Sequence, residues 1–217
     1  MTASCPFQPD CRNCTRLAQH LDQVKTDYPD YHARPVAPFG DQTAKLLIVG
    51  LAPGLHGANR TGRPFTGDYA GILLYRTLHQ FGFASHPESI AADDALRLIN
   101  CRITNAVKCL PPANKPLPAE IRQCNPFLAA ELNEFAKHGG QALLALGTIA
   151  HQAVLMALGC RNADFPFSHG AIHTVPGNLR LYDSYHCSRY NTQTRRLTET
   201  MFEQIFDSIR RDMAPAR

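Results

Sequence analysis

The stretch KLLIVGLAPGLHGANRTGRPFTGDYAGILLYRTLHQFG, residues 45–82, carries three patterns in succession. Its first five residues, KLLIV, are an apolar run that opens directly onto a glycine-rich segment. A short continuous apolar run suits a strand buried on both faces, as in a parallel sheet. Residues 50–68, GLAPGLHGANRTGRPFTGD, hold five glycines and two prolines and end on a lone carboxylate, Asp68. From 69 to 82, Ile72, Leu73, Tyr75 and Leu78 form an apolar stripe of helical period. Gly82 supplies a stop, and Asp68 stands where an N-cap belongs. Strand, glycine loop and helix together make the repeating unit of an α/β sheet.

Working outward, the same alternation continues. Residues 98–107 (LINCRITNAV), 142–146 (ALLAL) and 179–185 (LRLYDSY) read as three further strands. Helices are predicted over 118–138, 149–158 and 191–211. The first opens on Pro118 with Glu120 in its first turn. The last carries Phe202, Ile205, Phe206 and Ile209 on one face. Residues 110–118 (LPPANKPLP) form a stiff connection. In open α/β sheets, ligands bind beyond the carboxyl ends of the strands. Three polar clusters fall there: residues 50–68, 105–108 and 186–194. The glycine loop lacks the GK[ST] of a phosphate-loop ATPase and the spacing of a dinucleotide fingerprint. What it offers is free backbone N–H groups and Phe65, a flat ring stiffened by Pro64.

The chain has 217 residues, 44% of them apolar, enough for one large domain. Its net charge of +4 is compatible with a polyanionic partner and selects none. The start, MTASCPFQPDCRNC, is polar, and no run reaches the length of a membrane helix. The expectation is a cytoplasmic protein without a membrane partner. Eight cysteines then need a reason other than disulfides. Cys11 and Cys14 form a CxxC pair; Cys109 and Cys124 form a wide second pair. Four thiolates could hold zinc or an iron–sulfur cluster, with Cys5 a substitute for Cys11. Cys101, Cys160 and Cys187 read as buried thiols.

Residues 50–68 closely resemble the first motif of the type-b, or family 5, uracil-DNA glycosylases. The segment HCSRYNTQT, residues 186–194, resembles their late motif, H-x-S-x-x-N-x-x-T. Cys11, Cys14, Cys109 and Cys124 fall where the iron–sulfur relatives carry their cluster ligands. The likeness implies a three-layer α/β sandwich around a four-stranded parallel sheet. It implies one domain over residues 1–217, acting as a monomer, with the N-terminal segment tethered by a 4Fe-4S cluster on those four cysteines. It also implies a hydrolase that flips uracil, or another deaminated or damaged base, out of DNA and cleaves its N-glycosidic bond. Phe65 matches the stacking aromatic, Asn105 the residue facing the base edge, and His186 the histidine beside the base carbonyl. Asp68 matches the acidic residue of the family 5 site and is also a helix cap. Gly50, Ala52, Pro53 and Gly54 shape the substrate pocket.

The likeness and the local charge place Asn59, Arg60, Ser188, Arg189, Tyr190, Asn191, Arg195 and Arg196 on the DNA side, with two alternatives open: Asn59 and Arg60 holding the loop internally, and Arg195 as a solvated helix residue. Arg63 reads either as a phosphate contact or as a surface charge. Three positions depart from related patterns. Leu51 replaces an acid found in the neighbouring thermostable class, which moves the catalytic burden to Asp68 or to the substrate itself. Cys187 and Arg195 stand where Pro and Gly are common. Two alternatives stay open: a glycosylase preferring hypoxanthine or ethenocytosine, and a binding protein that retains the lesion without turnover.

Overall fold

A computed structural model describes residues 6–214. In chain order the elements are α1 (Thr15–Asp27), β1 (Phe39–Gly40), β2 (Leu46–Gly50), α2 (Ala58–Thr61), α3 (Tyr69–Gln80) and β3 (Cys101–Asn105). There follow α4 (Pro118–Lys137), β4 (Ala142–Leu146), α5 (Thr148–Ala157), β5 (Ile172–Val175), β6 (Leu179–Ser184), α6 (Arg189–Gln193) and α7 (Glu199–Met213).

The sheet has six strands in the order β1-β3-β2-β4-β6-β5. The four strands expected from the sequence are its inner members and run parallel. β1 and β5 add antiparallel edges, so the expected four-stranded parallel sheet is corrected to a mixed six-stranded one. Neither edge strand leaves a clear signal in the sequence. β1 is only two residues long, and β5 is mostly outside the core, leaving little apolar signal.

The apolar runs are explained by layering. Successive side chains of a strand point to opposite faces. Leu46, Ile48, Ile103, Leu144 and Tyr182 therefore pack against α3 and α7, through residues such as Leu74, Leu78, Phe202 and Phe206. Leu47, Val49, Leu143, Ala145 and Leu181 pack against α4 and α5, through Leu128, Leu132, Ala153 and Val154. Every residue of β2 and β4 is buried.

This topology places the carboxyl ends of the parallel strands on one edge. Gly50 is the register partner of Asn105, and Leu146 that of Ser184. His186 follows two residues after Ser184. Asp68, Asn105 and His186, far apart in the chain, are thereby delivered to one place.

Candidate active site

Phe65 sits in the left-handed region, with φ of +56°. A phenylalanine seldom adopts that conformation, and such strain is held only by its surroundings. Here Tyr75 donates its hydroxyl proton to the Pro64 carbonyl at 2.7 Å. Gly71 lies so close that a Cβ on it would come within 1.8 Å of the Phe65 carbonyl oxygen. Gly50 lies beneath the ring: a Cβ there would be 2.6 Å from Phe65 Cζ and 2.5 Å from Asn105 Oδ1. The glycine is thus what lets an aromatic face and an amide approach the same spot.

Asp68 caps α3, its Oδ1 accepting from the Gly71 N–H at 2.9 Å. The other oxygen faces the glycine loop, where a Cβ on Gly57 would meet it at 2.6 Å. Burial raises the carboxyl above its ordinary range, while the Gly71 and Ala70 N–H groups pull it back. His186 faces Phe65 with ring centroids 6.0 Å apart and planes inclined by 28°. Desolvation pushes its imidazole down to about 4, so it is neutral at neutral pH and has an N–H to donate. Its backbone carbonyl is held by Asn191 Nδ2 at 2.8 Å. Asn105 is buried, and its Oδ1 has no hydrogen-bond partner. A cavity of about 420 Å³ is lined by Ala52, Gly54, Phe65, Asp68, Asn105, His186, Ser188 and Arg189. Gly50 borders it through its contacts, whereas Pro53 is buried behind it.

The same cavity has walls that the sequence reading did not assign. They are Tyr69 and Ala70 at the start of α3, Leu51, Ala58, and Asn114 from the proline-rich connection. Asn114 had a signal: an asparagine among prolines tolerates the left-handed backbone it adopts, with φ of +56°.

The residues expected on the DNA side divide. Arg60, Arg189, Tyr190, Arg195 and Arg196 are exposed. Arg189 lies 5.9 Å from the Tyr69 ring centroid and Arg196 4.6 Å from that of Tyr185. Ser188 caps α6 by accepting from the Asn191 N–H, and Asn191 in turn holds His186. Asn59 is corrected: it is fully buried, which closes it to phosphate contact. Arg63 takes neither role open to it. It is buried, pairs with Asp94 at 2.5 Å, donates to the Ala92 carbonyl and lies over the Phe39 ring. It clamps residues 89–94 to the glycine loop.

The cofactor expectation is also corrected. Among the described residues no group of three or more His, Cys, Asp or Glu side chains is arranged to hold a metal ion. Cys11, Cys14, Cys109 and Cys124 are free thiols around a cavity of about 20 Å³, the room of a single water. Burial pushes Cys109 up to about 12 and Cys124 up to about 11, and the neighbouring cysteines push in the same direction. The 4Fe-4S cluster, zinc and metal-binding readings are therefore withdrawn; Cys5 lies outside the described residues. Packing tethers the N-terminal segment instead. Leu17, Leu21 and Val24 of α1 join Val107, Leu110, Cys124 and Phe127 in one cluster. Arg16 pairs with both Glu120 oxygens, each at 2.7 Å.

The model of the uracil DNA glycosylase superfamily matches residues 37–210. A Type-5 uracil-DNA glycosylase of Thermus thermophilus is 47% identical over 93% of each chain. One from Mycobacterium bovis is 43% identical over 90% of this chain and 75% of its own. A Type-4 uracil-DNA glycosylase of Archaeoglobus fulgidus is 27% identical over 90% of this chain and 86% of its own. The chain therefore belongs to the uracil DNA glycosylase superfamily and is closely related to its Type-5 members.

Proposed function

We propose that this chain, as one domain, hydrolyses the N-glycosidic bond of uracil in DNA, and of some other deaminated or damaged bases. The observation that carries the reading is the Asn105 amide, whose Oδ1 is buried and unpaired beside Phe65 and His186. An unpaired buried acceptor costs roughly 1–3 kcal/mol, which a ligand N–H would relieve. Uracil presents an N3–H between two carbonyls. Oδ1 would accept from N3–H while the amide nitrogen donates to the neighbouring carbonyl. Cytosine, with an acceptor at N3 and an amine beside it, reverses both contacts.

The other groups supply the chemistry. Phe65 covers the base face. The neutral His186 donates to the remaining carbonyl, where negative charge grows as the C1′–N1 bond breaks. Asp68 orients a water against C1′ and receives its proton as the new C–O bond forms, while the electron pair of the broken bond leaves with the base. No lysine is among the cavity-lining residues, which favours water over an amine as the nucleophile.

The test is base release from strands carrying single uracil, hypoxanthine or ethenocytosine residues, scored by alkali cleavage at the abasic site. Uracil release is expected. Tight retention of intact uracil DNA without release would replace the enzyme with a lesion-binding protein. Faster release of another base would change the substrate.

A further inference from the structure

We infer that Lys108, paired with Glu131, is a positioning residue that aims the Asn105 amide into the base pocket. The functional importance of that aim rests on the glycosylase reading above. Lys108 is 1% exposed, among the largest fully buried side chains of the protein. Its ammonium has three N–H donors, with two hydrogen-bond acceptors and one carboxylate beside it. Thr104 Oγ1 lies at 2.5 Å, the Asn105 carbonyl oxygen at 2.9 Å and Glu131 Oε1 at 2.8 Å. Two of these acceptors belong to Asn105 and the residue before it. The chain leaves β3 at Asn105 and folds back over its own lysine.

The surroundings fix this arrangement. The N–H groups of Ala106 and Val107 donate to the Gly50 and Leu51 carbonyls. The Lys108 N–H donates to Cys124 Sγ at 3.3 Å, and its carbonyl accepts from Val36 at 2.7 Å. Glu131, on α4, has both carboxylate oxygens buried without a well-aligned hydrogen bond. The ammonium is its direct counter-charge, and Arg102 is a second cation acting on it.

A buried ion pair is weak evidence for stability, because an apolar side chain of similar volume often packs as well without the desolvation cost. What the pair does provide is direction. The ammonium grips the carbonyl of Asn105 while the Asn105 side chain has no partner of its own to hold its Oδ1. Without Lys108 the Asn105 carbonyl loses its ammonium donor, so that only the Ala106 N–H bond to Gly50 holds that peptide, and Glu131 keeps only Arg102 as a counter-charge. An amide that must meet a base edge within hydrogen-bond tolerance then loses its aim.

The test is a double-mutant cycle on the full chain, using Lys108→Met, Asn105→Ala and the double variant. Folding is checked by thermal unfolding, and single-turnover cleavage of uracil DNA is measured. Lys108→Met is expected to slow cleavage about tenfold in the parent and by less than about twofold in the Asn105→Ala background, the signature of one residue acting through the other. Multiplying effects would overturn the proposal and leave Lys108 an ordinary core residue. If Lys108→Met does not fold, Glu131→Gln makes the same comparison with the lysine in place. A readout independent of activity is the Asn105 side-chain amide resonance in ¹⁵N-labelled protein. It should shift or broaden in the variant, and an unchanged resonance would sink the positioning role. Should the parent release no uracil, the glycosylase reading fails while this resonance still decides the positioning claim.

Discussion

At the scale of single residues, Asp68 uses its two oxygens differently. One caps α3 and the other faces the glycine loop and the cavity. The sequence announced the cap, because an acid before a helical stripe is a local pattern. Asp68→Asn should keep the cap and leave the melting temperature near the parent value. It should slow single-turnover cleavage of uracil DNA about 10²-fold, the lower range for a lost general base. Asp68→Ala should add a stability loss of roughly 0.5–2 kcal/mol. Parent-rate cleavage by folded Asp68→Asn would reduce the residue to a cap. His186 predicts a pH dependence. Its folded value of about 4 lies below the ordinary 6.5, so folding excludes a proton. Its contribution is intact above about pH 6.5. It is lost progressively as the pH falls toward 4, because only the unfolded chain takes up the proton there. Urea unfolding at several pH values should show a shallower acid loss for His186→Gln than for the parent. Identical profiles would refute the assignment.

At the scale of elements, the reading of 191–211 as one helix is overturned by two caps and a turn. Ser188 caps α6, Thr198 caps α7, and Arg195 between them takes φ of +56°. The turn had a sequence trace, since Arg195 stands where glycine is common. Arginine in the left-handed region costs roughly 1–2 kcal/mol, and glycine's extra backbone entropy returns part of that. Arg195→Gly should therefore raise stability by about 0.5–1 kcal/mol by urea denaturation. A loss would mean that side-chain contacts outweigh the strain. Helix α1 leaves a trace in the sequence, because Leu17, Leu21 and Val24 repeat at helical spacing.

At the scale of the whole molecule, Arg60, Arg189, Arg195 and Arg196 put exposed positive charge on the segments that border the cavity. Phosphate contacts release counterions, so DNA binding should weaken with salt. Replacing Arg195 and Arg196 together with alanine should make log K against log salt shallower by up to about two phosphates' worth, roughly 0.7–0.9 each. An unchanged slope would place both side chains on the plain surface.

The alternating strands and helices, the glycine loop and the segments that supply Asp68, Asn105 and His186 are legible in the chain alone. These rest on short-range physics: the period of apolar residues, the chemistry of caps and turns, and the placement of loops at strand ends. The fate of individual side chains is set by the folded structure. It buried Asn59 and Arg63, gathered four cysteines around a cavity of about 20 Å³, and brought Asn114 to the site. It joined Lys108 of the loop after β3 to Glu131 of α4 beneath Asn105. Such outcomes depend on how distant surfaces close over a group and exclude water, and no local pattern in the chain encodes that.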